Sequence, residues 1–95
     1  MKYKVKYENL FKKQYKKVIR QGKDIKKLNA VIECLAKGEE LHPRYRNHKL
    51  IDNKKFKNCY DCHIEPDWLL IYKIHNNELM LLLVETGSHS EVLNK

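Results

Sequence analysis

From Lys2 to Tyr7 the chain alternates lysine with Tyr3, Val5 and Tyr7, the period of a short strand with one buried face. The period then changes. Leu10, Phe11, Tyr15, Val18 and Ile19 fall on one face of a helix with lysines opposite, and Gly22 stops it. Asp24 reads as the N-cap of a second amphipathic helix, traced by Ile25, Leu28, Val31, Ile32 and Leu35 and ending at Gly38. The C-terminal half returns to strands: Phe56 to Ile64, Trp68 to Ile74 and Leu79 to Glu85. Pro66 belongs between the first two, because it cannot donate to a ladder, and Asn76-Asn77 supplies a tight turn between the last two. Helix and sheet are separated by a loop of about 17 residues, Gly38 to Lys54, and loops of that length in small domains are often functional.

This order predicts an α+β fold: a small antiparallel sheet of about four strands, with the N-terminal helical hairpin packed on one face. The other face would be open to a ligand. At 95 residues the chain is read as one domain, 1–95, with no internal repeat or linker. No apolar run reaches the roughly 18 to 20 residues that cross a bilayer, and the basic N-terminus leads into no apolar signal segment. A cytoplasmic location with no membrane partner is expected.

Charge sharpens this picture. The formal net charge is +8 and is uneven: residues 1–27 hold eleven Lys/Arg against Glu8 and Asp24, a net of +9, leaving the remainder at −1. Such asymmetry favours a nucleic acid or an acidic protein as partner. Cys34, Cys59 and Cys62 make an odd number and fit reduced thiols. Cys59 and Cys62 have C-x-x-C spacing, but strand alternation sends them to opposite faces, so no metal site and no cofactor is expected.

The same alternation assigns Tyr60, Cys62 and Ile64 to the core and Cys59, Asp61, His63 and Glu65 to the open face. Asp61 would stand beside His63, where a carboxylate can orient an imidazole. His48 in the long loop, Asp67 and Trp68 at the start of the next strand, and His89 after the last strand can approach the same face. Imidazoles titrate near neutrality and can accept or donate protons, and an indole can stack a base. These groups suit RNA cleavage without a metal: a base for the ribose 2′-hydroxyl, an acid for the departing 5′-oxygen, and a cation for the phosphate.

The segments YRNHKL, YDCHIEPDWLLIYKI and ETGSHSEVL resemble the YafQ-like branch of the RelE/ParE superfamily, the toxins of bacterial type II toxin–antitoxin modules. The likeness runs over essentially the whole chain. It implies a RelE-like fold and a ribosome-dependent endoribonuclease that cuts mRNA and is neutralised by a cognate acidic antitoxin. The family's functional positions fall on His48, Asp61, His63, Asp67 and His89, with Trp68 the aromatic of the same motif. His63 and His89 are expected as the acid/base pair, His48 as a further proton-transfer or phosphate group, and Asp61 and Asp67 as orienters. The chain departs from the family where Tyr60 and Glu85 replace arginines and Leu93 replaces an aromatic; Arg44, Arg46, nearby lysines or a protonated His48 are expected to bind the substrate phosphate instead. Competing readings are a gyrase-directed toxin of the ParE kind, a non-catalytic nucleic-acid or ribosome-binding module, and a zinc-binding regulator.

Overall fold

The computed structural model describes residues 1–93. Strand β1 (Lys4–Tyr7) leads into helices α1 (Asn9–Arg20) and α2 (Ile25–Ala36), then strands β2 (His48–Lys49), β3 (Tyr60–Glu65), β4 (Trp68–His75) and β5 (Met80–Gly87), and a short helix α3 (His89–Val92). Both long helices end in the same way. Gly22 and Gly38 adopt left-handed backbone, their N–H groups bonding Ile19 and Leu35 carbonyls while the next residues reach Val18 and Cys34. That double bond is the Schellman arrangement, which glycine enters without Cβ strain. Asp24 caps α2 as expected, accepting from the Lys26 N–H at 3.1 Å.

The sheet has five strands in the order β1-β5-β4-β3-β2. It is mixed, not purely antiparallel: β1 runs parallel to β5, while the other pairs are antiparallel. The extra strand, β2, lies inside the expected loop and is too short to show a period; only its pairing opposite Tyr60 and Asp61 makes it a strand. The loop also folds a 3₁₀ turn at Pro43–Tyr45. Phe56 to Cys59, read as strand, is instead a turn with Asn58 at positive φ, its phenyl ring buried.

Both helices cover one sheet face. Phe11, Val18, Leu28, Val31 and Leu35 pack there with Cys62, Trp68, Leu70, Tyr72, Leu81 and Leu83. Leu10 and Ile19, assigned to the same helix face, remain about half exposed. The opposite face, expected to be open, is half covered. Phe56, Cys59, Ile71 and Val92 form a second cluster with Leu50, Val84 and Leu93 beside them. Cys59 and Cys62 therefore belong to different cores, on opposite sides of the sheet.

Trp68 is fully buried against the helices, so it offers no face for stacking a base, contrary to its expected role as a substrate contact. Its alternation partners Leu70 and Tyr72 point the same way. The indole N–H donates to Thr86 Oγ1 at 3.0 Å, and that hydroxyl donates onward to the Leu69 carbonyl at 2.7 Å. Thr86→Val keeps the shape and removes both bonds, leaving a buried donor and acceptor unpaired. It should cost about 1–3 kcal/mol, lowering the thermal midpoint by several degrees, whereas Thr86→Ser should lose far less; equal midpoints for wild type and Thr86→Val would refute this.

Candidate active site

The uncovered half of the second face holds a cluster of histidines and carboxylates contributed by β2, β3, the β3–β4 turn and α3. Strand pairing sets His48 directly opposite Asp61. His48 Nδ1 lies 2.9 Å from the Arg46 carbonyl. A carbonyl can only accept, so this nitrogen carries the hydrogen and Nε2 is the free one. Nε2 lies 3.7 Å from Asp61 Oδ2, and His63 Nε2 lies 4.0 Å from the same oxygen. These separations suit charge interaction rather than hydrogen bonding. Asp61 therefore acts on both imidazoles through its field, not by gripping either ring.

Nor does Asp61 stand on an open surface, as the alternation suggested. It is 2% exposed, and Oδ1 has no hydrogen-bonding partner among the described residues. Burial holds its carboxyl above the usual carboxylate range, against the opposing pull of His63, His48 and His89.

Asp67, by contrast, holds a histidine directly. It sits in the two-residue turn joining β3 to β4, and its Oδ1 accepts from both the backbone N–H of His89 at 2.9 Å and His89 Nδ1 at 2.7 Å. The backbone bond first, then the ring bond, hold the Asp67 carboxyl below its usual range. With Nδ1 committed, His89 has Nε2 free for proton transfer. Its ring meets His63 edge-on, with centroids 5.2 Å apart.

His89 is the first residue of α3, and α3 is locked by a capping box. Ser88 Oγ accepts from the Glu91 N–H while Glu91 Oε1 accepts from the Ser88 N–H. Lys17 of α1 pairs with Glu91, and this contact first, with the two Ser88 bonds, lowers the Glu91 carboxyl to about 2. The Ser-x-x-Glu spacing at 88–91 was the sequence signal for this helix.

His63 also lines a cleft of about 470 Å³ with Arg44, Tyr45, Arg46, Lys27 and Pro66. The two arginines expected to touch substrate are thus beside the histidines, and Tyr45 and Lys27, unforeseen from sequence, join them. Lys27 is paired with Glu65 at 2.9 Å. The departures from the family pattern are absorbed structurally. Tyr60 stacks on Tyr72, with ring centroids 5.5 Å apart, and Leu93 packs beside the second cluster. Glu85 is buried, accepting from Gln14 at 3.1 Å with Lys55 at 3.3 Å. His42 caps the turn before Arg46, and His75 ends β4, both outside the cluster.

Solved structures that share this fold include bacterial toxins. A metal-bound toxin from Helicobacter pylori is 37% identical with a TM-score of 0.88, over 95% of this chain and 98% of that one. The toxin in an Escherichia coli DinJ–YafQ complex is 31% identical with a TM-score of 0.84, over 95% and 97% of the two chains. The family model for the bacterial toxin of type II toxin–antitoxin systems, YafQ, matches residues 3–94. The mRNA interferase toxin YafQ of E. coli BL21-DE3 is 32% identical over 87 residues, 90% of each chain. The chain belongs to the YafQ family of type II toxins.

The buried Asp61 makes a testable trade between site and stability. Its raised carboxyl binds a proton more tightly folded than unfolded, so its contribution to stability falls as pH rises from the ordinary aspartate range through the folded value. Above the ordinary aspartate range, folding must either desolvate that charge or take up a proton, and both cost stability. Asp61→Asn should therefore raise the urea midpoint at pH 7, with the gain vanishing below about pH 4; a loss of stability equal at both pH values would refute the burial argument.

Proposed function

We propose that the protein is the toxin of a type II module and acts as a metal-independent endoribonuclease on ribosome-bound mRNA in the cytoplasm. The observation that carries this is the Asp67–His89 pair set edge-on to His63, two imidazoles with proton-transfer nitrogens at one site. Its E. coli relatives are named mRNA interferase toxins, which are endoribonucleases.

In this reading one imidazole of the His63–His89 pair removes the ribose 2′-hydroxyl proton. The 2′-oxygen attacks the adjacent phosphorus, and the P–O5′ bond breaks as the other imidazole gives its proton to the leaving oxygen. The products are a 2′,3′-cyclic phosphate and a 5′-hydroxyl, so no water or redox partner is consumed. Asp67 keeps His89 in one tautomer and one orientation. In the same reading His48, which shares Asp61 with His63, and Arg46, which lines the cleft with His63, meet the negative charge that builds on the phosphate.

The +9 segment at residues 1–27 supports contact with ribosomal RNA and also suits an acidic antitoxin. E. coli YafQ is solved in complex with DinJ, and a cognate antitoxin is the corresponding partner here. An acidic segment that folds across the site would silence it by charge and by exclusion.

The test is cleavage of an mRNA on programmed ribosomes, mapped by primer extension. His63→Ala and His89→Ala should each cut at least about a hundredfold more slowly, and Asp67→Asn should be impaired by disordering the His89 tautomer. Cleavage by the histidine variants at the wild-type rate, or none by wild type, would favour the gyrase-directed or non-catalytic binding readings.

A further inference from the structure

Burial of Trp68 removes the stacking surface expected at the site, and a pair in the cleft beside His63 supplies another. The Arg44 guanidinium lies over the Tyr45 ring, 4.9 Å from its centroid, and Nη2 donates to the Tyr45 hydroxyl at 2.9 Å. Tyr45 is half-buried against the helix-side core, while Arg44 is exposed. The surface this pair presents outward is therefore the guanidinium, backed by the ring.

The turn beneath it is held by its own local contacts. Pro43 opens the 3₁₀ turn, the His42 ring accepts from the Arg44 N–H at 3.1 Å, and Arg46 closes it in left-handed backbone at φ 49°. The cleft's volume of about 470 Å³ falls within the usual range for small-ligand sites. Lys27 on its wall is already matched by Glu65, so the uncompensated charge there belongs to the arginines.

We propose that Arg44, held against Tyr45, is the stacking platform for an RNA base flanking the scissile phosphate. This rests on the nuclease reading and adds a base subsite to it. A guanidinium is planar and weakly hydrated, and single-stranded RNA is commonly read by stacking bases on aromatic rings or arginine planes. One of its five N–H groups is used on Tyr45, which restrains the guanidinium beside the ring and leaves others for the base edge. A lysine could match the charge but could not present a plane.

The experiment measures kcat/KM on programmed ribosomes carrying mRNAs that vary the nucleotides on either side of the cut. Arg44→Ala, Arg44→Lys and Tyr45→Phe are compared with wild type. Both Arg44 variants should fall alike, between about fivefold and a hundredfold, mainly through KM, and should lose discrimination among flanking bases. Tyr45→Phe keeps the ring and loses the hydroxyl clamp, so it should blur base preference with a smaller loss. Thermal midpoints of the Arg44 variants should stay at the wild-type value, because the side chain is exposed. Wild-type behaviour of Arg44→Lys would assign Arg44 to phosphate and overturn the proposal, as would unchanged base preference in Arg44→Ala. Absence of cleavage by wild type would instead overturn the nuclease reading, and this subsite with it.

Discussion

The site depends on β4 being buried on both faces. Trp68, Leu69, Leu70, Ile71 and Tyr72 are all buried, alternating between the helix-side core and the smaller cluster under α3. A strand with a core on each side must read as a continuous apolar run, which explains the uninterrupted Trp-Leu-Leu-Ile-Tyr stretch. Such a strand cannot slip by one residue without exchanging its two faces. The Pro66-Asp67 turn that enters it inherits that rigidity. Asp67 is largely exposed, yet its carboxylate is placed as accurately as the strand behind it, and His89 is placed by Asp67.

Around that fixed point the fold accepts local costs where the chemistry lies. Asp61 is buried with one oxygen unpaired among the described residues, and its neighbours across the site are imidazoles 3.7 and 4.0 Å away. Replacing it with an apolar residue would suit packing and remove the field acting on His48 and His63. Glu85, two strands away in the same row through Ile71, is equally buried but has Gln14 and Lys55 as partners. The contrast separates a carboxylate satisfied by structure from one left unsatisfied at a site.

Much of this was legible in the amino-acid order. The two helices, the Asp24 cap and the glycine stops follow from local chemistry, and the strand alternation placed Cys59 and Cys62 on opposite faces. What escaped was non-local. The two residues of β2 show no period, and the parallel pairing of β1 with β5 is decided by where the helical hairpin returns the chain. The register shift opposite Ile71–Tyr72 leaves Val84 without a partner, so simple alternation fails along β5. Trp68 is the instructive error: its own alternation with Leu70 and Tyr72 already marked it as core, and its place in a functional motif obscured that.

The positions of the two missing arginines now serve packing, Tyr60 stacked on Tyr72 and Glu85 tied to Gln14 and Lys55. Positive charge beside His63 comes instead from the turn at residues 43–46, and the same turn orients an imidazole. Arg46 lends its carbonyl to His48 Nδ1 and is also one of the residues lining the cleft. Left-handed backbone at Arg46 is what lets one residue face both ways, since it turns the chain from the 3₁₀ turn into β2 within two residues. Cation and proton-transfer group are thus coupled through one backbone conformation, and any movement of that turn changes both together.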